Sequence, residues 1–133
     1  MDPASALADL IEISSQVDVA VVLDAEGSVV ASTLDDAARS ERLGRAGVAL
    51  LAAGDESPAT GARTLTQLEV ALREGSVFAV REEGRSIVAT TSAEPTSGLV
   101  FYDLKTCLRS LADGAAEPAS KPKRRPKQEA ADA

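Results

Sequence analysis

The chain has 133 residues, 44% hydrophobic but only 2% aromatic, with 14 basic against 21 acidic side chains and no histidine. That is apolar material for one modest core of Val, Leu, Ile and Ala, and too few rings for base stacking or a membrane-interface belt. With Cys107 as the single cysteine, an intramolecular disulfide, a His/Cys zinc cluster and a histidine-based nucleophile triad are excluded.

Asp2-Pro3 supplies an N-cap and a proline at the first helical position, and Leu7, Leu10 and Ile11 follow at helical spacing, so a first helix ends near Ser14-Ser15. This N-terminus has neither a basic start nor an apolar signal core, and no run approaches a membrane span; a cytoplasmic location is expected. VDVAVVLD, Val17 to Asp24, reads as a strand with Val19, Val21 and Leu23 on one side and Ala20 and Val22 on the other. Apolar residues on both sides place it inside a sheet covered on both faces. Ala25-Glu26-Gly27 turns the chain, and Ser28 to Thr33 returns as the hairpin partner.

A second helix is predicted from Leu34 to about Gly54, with Asp35 and Asp36 complementing the positive end of its dipole. After Gly44 only Arg45 is charged. Leu43, Ala46, Gly47 and Leu50 fall on one side, and Val48, Leu51 and Ala52 on the other. A helix apolar all round is buried all round, and so small a domain cannot cover both sides itself; a second copy or a partner is expected on the outer side. Gly44 and Gly47 would let a neighbouring backbone approach closely.

Asp55 to Arg63, with Pro58 and Gly61, reads as a loop. Alternation at Leu68, Val70 and Leu72, and again at Phe78 and Val80, then predicts strands. Glu74-Gly75 and Glu83-Gly84 each place a glycine where a tight reversal needs positive φ, so Leu65 to Thr91 becomes a three-strand antiparallel meander. Ser97 N-caps a third helix, Gly98 to Leu111, with Val100, Leu104, Cys107, Leu108 and Leu111 on its apolar face.

Charge divides the chain at residue 112. Up to there, 9 basic and 17 acidic side chains give a net of −8; residues 113–133 hold 5 basic and 4 acidic, a net of +1. An acidic body repels phosphate backbones, so the folded part is not expected to bind nucleic acid. The remainder, 113–133, has three prolines and almost no large apolar side chain. It is expected to be a disordered basic tail. Its cluster Lys121, Lys123, Arg124, Arg125 and Lys127 is a candidate electrostatic tether.

The ALADLIEI helix, VDVAVVLDAEGSVVAST, the small-residue helix GRAGVALLAAG, the meander LEVALREGSVFAVREEGRSIVATT and the helix GLVFYDLKTCLRSL, in that order, resemble the roadblock family. This family includes dynein light chains and bacterial regulators of Ras-like GTPases. The resemblance covers roughly Ala4 to Leu111 and implies a roadblock-like domain over 1–112. It implies an α/β (α+β) fold: a five-stranded, mostly antiparallel sheet in the order 2-1-5-4-3, two terminal helices on one face and the middle helix on the other.

It further implies a homodimer in which the third strands pair and the middle helices lie side by side. The interface residues would be Leu65, Gln67, Leu68, Glu69, Ala71, Arg73, Gly47, Val48 and Leu51. The paired helices would meet a small Ras-like GTPase through Arg39, Glu41, Arg42 and Arg45. The resemblance implies a non-enzymatic regulator or scaffold of that GTPase, and any activation would come from holding the partner's own loops in the competent arrangement. The other role in view is an assembly module that links a larger complex by sheet augmentation, with the tail as tether.

No phosphate-binding loop is legible: Gly44, Gly47 and Gly54 lie in or at the end of a helix and lack the Lys-Ser/Thr ending. Asp24 and Glu26 flank a hairpin glycine without continuing as a metal loop. Cys107 reads as a small core residue. No catalytic residue, cofactor or metal site is expected.

Overall fold

The computed structural model describes residues 2–61 and 63–116. The tether candidates Lys121, Lys123, Arg124, Arg125 and Lys127 therefore lie outside the described residues. Helix α1 (Pro3–Ile13) starts where expected: the Asp2 carboxylate accepts the Ser5 N–H at 3.2 Å and the Ser5 hydroxyl at 2.7 Å. Its buried face is Ala6, Leu7 and Leu10, while Ile11 turns partly to solvent.

Strand β1 (Val17–Leu23) pairs with β2 (Val29–Ser32) on one side and β5 (Arg85–Ser92) on the other. At their turn, Asp24 Oδ1 accepts the N–H groups of Glu26 and Ser28 at 3.0 and 2.9 Å, and Gly27 has φ +83°. That carboxylate is committed to holding the hairpin. Strands β3 (Gln67–Ala71), β4 (Gly75–Glu82) and β5 form the meander, completing an antiparallel sheet in the order β2-β1-β5-β4-β3.

Gly84 has φ +80° in the β4–β5 turn, as the sequence requires, and Glu83 before it has φ 53°. Gly75 is different. Its φ is not positive; a Cβ there would lie 2.1 Å from the Thr91 carbonyl oxygen of β5. The requirement is space between adjacent backbones, not a left-handed turn.

Helices α1 and α3 (Ser97–Ala116) cover one face of the sheet. Between them and the sheet lie Ala20, Val22, Phe78, Val80, Ile87 and Ala89, with Val100, Leu104, Leu108 and Leu111 from α3. Phe78 and Phe101 meet edge to face, centroids 4.9 Å apart. α3 continues to Ala116, past the boundary placed at 112.

Helix α2 (Ala37–Asp55) covers the other face, over Val21, Leu23, Ala79 and Val88. It starts three residues later than predicted. Asp36 is the N-cap, accepting the Arg39 N–H at 3.2 Å, and Asp35 lies outside the helix. Val17 joins the face of Ala20 and Val22 because the β1–β5 register slips between Val17 and Val19.

Candidate partner-binding surface

Ser40, Gly44, Gly47 and Leu51 recur at four-, three- and four-residue intervals, one line along α2, and all are buried. That line faces the chain's own sheet. A Cβ on Gly44 would lie 2.8 Å from Leu23 Cδ2, and one on Gly47 only 2.2 Å from Val88 Cγ2. The glycines therefore seat the helix on β1 and β5, not on a neighbouring helix. Ser40 fixes the same line to β2, its hydroxyl 2.7 Å from Ser32 Oγ and 2.9 Å from the Asp36 carbonyl oxygen.

Gly47 and Leu51, assigned to a dimer interface from sequence, are thus core residues of the protomer. Steric proximity to the sheet decided this, because a helix apolar on all sides carries no signal for which side is inner. Val48 remains 39% exposed, and Ala46, Ala49, Ala52 and Ala53 complete an outer face without charge.

Among the described residues β3 pairs only with β4, so its other side is an open sheet edge. Of the residues predicted along this edge, Glu69, Ala71 and Arg73 are exposed and Gln67 is half-buried, with Arg73 in the turn after the strand. Leu68 is half-buried beneath α2 with Leu65. Leu72, next to Arg73, is 58% exposed.

Leu65 is held before β3 begins. Its N–H donates to Asp55 Oδ1 at 2.8 Å, and its carbonyl accepts Arg81 Nε–H at 3.0 Å. Arg81 closes the arrangement with contacts of 2.7 and 3.0 Å to the two Asp55 carboxylate oxygens. The Arg81 hydrogen bond, then the Leu65 N–H, hold the Asp55 carboxyl below the usual carboxylate range. This clamp ties the end of α2 to the start of the open edge. Asp55 and Arg81 are 26 positions apart, and neither is marked by a local motif.

Arg39, Glu41, Arg42 and Arg45 are all exposed on the N-terminal half of α2. Glu41 and Arg45 approach to 4.0 Å across one helical turn. Such exposed pairs contribute about 0–1 kcal/mol. Among the described residues, Arg39 and Arg42 make no ion pair, so two unpaired guanidinium groups stand beside the weakly paired Arg45.

Cys107 is buried on α3, and burial first, then the nearby Asp9 charge, pushes its thiol up to about 11. It is an inert core side chain.

No protein-family profile and no curated protein sequence matches this chain. Solved structures do. A Roadblock/LC7 domain from Streptomyces avermitilis superposes with a TM-score of 0.76 at 15% identity, over 87% of this chain and 99% of that one. This chain has the roadblock fold. A second Streptomyces Roadblock/LC7 domain is 24% identical, with a TM-score of 0.61 over 80% of this chain and 94% of that one. The gliding protein MglB of Thermus thermophilus is 16% identical, with a TM-score of 0.67 over 86% of this chain and 92% of that one. The roadblock fold accounts for the strand order β2-β1-β5-β4-β3. Among the described residues, no helix is long and apolar enough to cross a membrane.

Proposed function

We propose that this roadblock-fold protein is a homodimeric, non-enzymatic regulator or scaffold of a small Ras-like GTPase. The observations that support the reading are the unpaired β3 edge with exposed Leu72 next to it, the uncharged outer face of α2, and three exposed arginines on the N-terminal half of that helix. Two copies related by a two-fold axis would pair their β3 strands and bring the α2 faces together, removing the open edge. Glu69, Ala71, Val48 and the alanines of α2 would form the seam in place of Gly47 and Leu51. An MglB structure with a tetrameric arrangement supports self-association within this fold.

Arg39, Arg42 and Arg45 would then meet acidic loops of the GTPase, with Glu41 orienting Arg45. Hydrolysis chemistry would stay with the partner, since this chain has no histidine and its one thiol is buried. The location in keeping with this role is the cytoplasm.

The test is single-turnover GTP hydrolysis by the Ras-like GTPases of the same cell, with and without the protein, beside a binding titration and light scattering. Dimers that accelerate hydrolysis make it an activator, and dimers that bind without acceleration make it a scaffold. A monomer at micromolar concentration, or dimers that bind none of the GTPases, would overturn the reading; the second result favours the assembly module. Ala49→Glu with Ala53→Glu supplies the control, placing like charges across the seam while leaving the protomer's core intact.

A further inference from the structure

Helix α3 carries the chain from one end of the sheet to the other. Just before its start the Thr96 N–H donates to Gln16 Oε1 at 2.6 Å, beside the start of β1, and near its end Arg109 Nη2 donates to Glu82 Oε2 at 3.3 Å, at the end of β4. The β1–β2 turn at Asp24 and the β4–β5 turn at Glu83 and Gly84 stand at that same end, since Leu23 pairs with Ser86 and Glu82 with Arg85. Between the two turns and the segment that leads into β3 lies a groove of about 450 Å³, bordered by Asp24, Ala25, Leu65, Glu82, Glu83 and Ser86.

Glu82 is the unusual member. Arg109 holds one of its carboxylate oxygens, while the other, Oε1, is buried and accepts no hydrogen bond among the described residues. Arg85, its cross-strand neighbour, makes no ion pair with it. A buried carboxylate oxygen without a donor is costly, and a second cation at Glu82 would offset that cost. Asp24 and Glu83 add two more carboxylates to the border of the groove. Arg81, the cation on the same border, is engaged by Asp55 and by the Leu65 carbonyl. The groove therefore keeps an excess of negative charge. Leu65 and Ala25 add apolar surface along which an aliphatic stem can lie.

We infer that this groove is the docking site of the basic segment 121–127 of the same chain, with a lysine or arginine of that segment at Glu82 and Glu83. Charge complementarity points to it: residues 121–127 hold five cations and no anion, and three carboxylates border the groove. Lysine and arginine also match both parts of the lining, the stem against Leu65 and Ala25 and the head at the carboxylates. The place where α3 ends brings the segment here. From Arg109 to Ala116 is about 10 Å along the helix, and Lys121 to Arg124 follow five to eight residues beyond Ala116, enough for roughly 17–27 Å of extended chain. The segment can therefore turn back to Glu82 without being fully stretched. An acidic partner that captures the segment would leave the groove open.

The test uses the full chain, ¹⁵N-labelled. Replacing Lys121, Lys123, Arg124, Arg125 and Lys127 together by Gln is expected to shift the amides of Asp24, Leu65, Glu83, Gly84 and Ser86 and to leave those of Ala6, Leu7 and Leu10 in α1 unmoved. Raising salt to about 0.5 M should move the parent's groove amides toward the variant's positions. Glu82→Gln keeps the shape and removes the charge, and is expected to speed tryptic cleavage after Lys123, Arg124 and Lys127 by about tenfold, the effect of losing one charge-assisted contact. Glu26→Gln, an exposed position on the β1–β2 turn, removes the same charge without touching the groove and should leave the cleavage rate unchanged. The tail variant alters nothing before residue 121, so it remains decisive whether or not Glu82→Gln folds. Groove amides that do not respond to it, or cleavage no faster in a folded Glu82→Gln protein than in Glu26→Gln, would overturn the inference. A shift difference that fades on dilution would also overturn it, by assigning the segment to a second copy.

Discussion

Gly47→Ala is the sharpest probe of how α2 is seated. The added Cβ would lie 2.2 Å from Val88 Cγ2, 2.9 Å from Cγ1 and 3.1 Å from Cβ, so helix or strand must move by about 1 Å to restore ordinary contact. Val88 cannot readily give way: it is β-branched and fully buried, and its strand is paired on both sides, with Val21 and with Ala79. Overpacking by one methyl costs about 1–3 kcal/mol, and so close a contact belongs in the upper half of that range. Alanine returns about 1 kcal/mol of helix propensity. The net expectation is a loss of about 1–2 kcal/mol.

Gly44→Ala is the contrast. Its clash, 2.8 Å, is with Cδ2 at the end of the Leu23 side chain, so the propensity gain should hold the change within about 0.5 kcal/mol. Both are read from urea midpoints at one fixed protein concentration, because any dimerisation makes the midpoint concentration-dependent. In a Val88→Ala background the cost of Gly47→Ala should fall by at least about half, giving a coupling energy in the double-mutant cycle. A Gly47→Ala protein as stable as the parent, or a cost unaffected by Val88→Ala, would refute the seating of α2 on Val88.

Other expectations follow from the same contacts. The Asp55 carboxyl titrates below its unfolded value, so its contribution to stability is present above about pH 4 and disappears as pH falls through the folded value. Urea midpoints of Asp55→Asn should therefore fall less steeply than the parent's between about pH 4 and pH 2, and parallel curves would exclude the Arg81 clamp as the cause. With its thiol pushed up to about 11, Cys107 should be alkylated at pH 8 at least about 100-fold more slowly in the native protein than in urea. Comparable rates would show that the thiol is neither buried nor shifted. Reversing Arg39, Arg42 and Arg45 to Glu should abolish GTPase binding in the titration while light scattering still reports the dimer; binding that persists would move the partner surface elsewhere. Breaking the dimer with Ala49→Glu and Ala53→Glu should change protomer stability by less than about 0.5 kcal/mol, since both positions are exposed in the single chain.

Features governed by neighbouring residues were legible without coordinates. Asp2-Pro3 starts α1, Gly27 and Gly84 turn the hairpins, and the two-residue alternation of β1 and β4 places apolar side chains on both sheet faces. Each is decided by backbone stereochemistry or side-chain period within a few positions. The element order also suffices for the roadblock resemblance. The exposed arginines of α2 were equally legible, since three charges at helical spacing fall on the outer side.

Contacts between distant segments were not legible. A helix apolar on every side fits the sheet by any face, and only the approach of Gly44 and Gly47 to Leu23 and Val88 selects the inner one. Gly75 looks like a turn glycine until the Thr91 carbonyl is brought against it. Asp55 and Arg81 become a clamp through packing alone. Local sequence carries propensity and period, whereas burial and ion pairing depend on which surfaces the closed sheet brings within a few ångströms of each other.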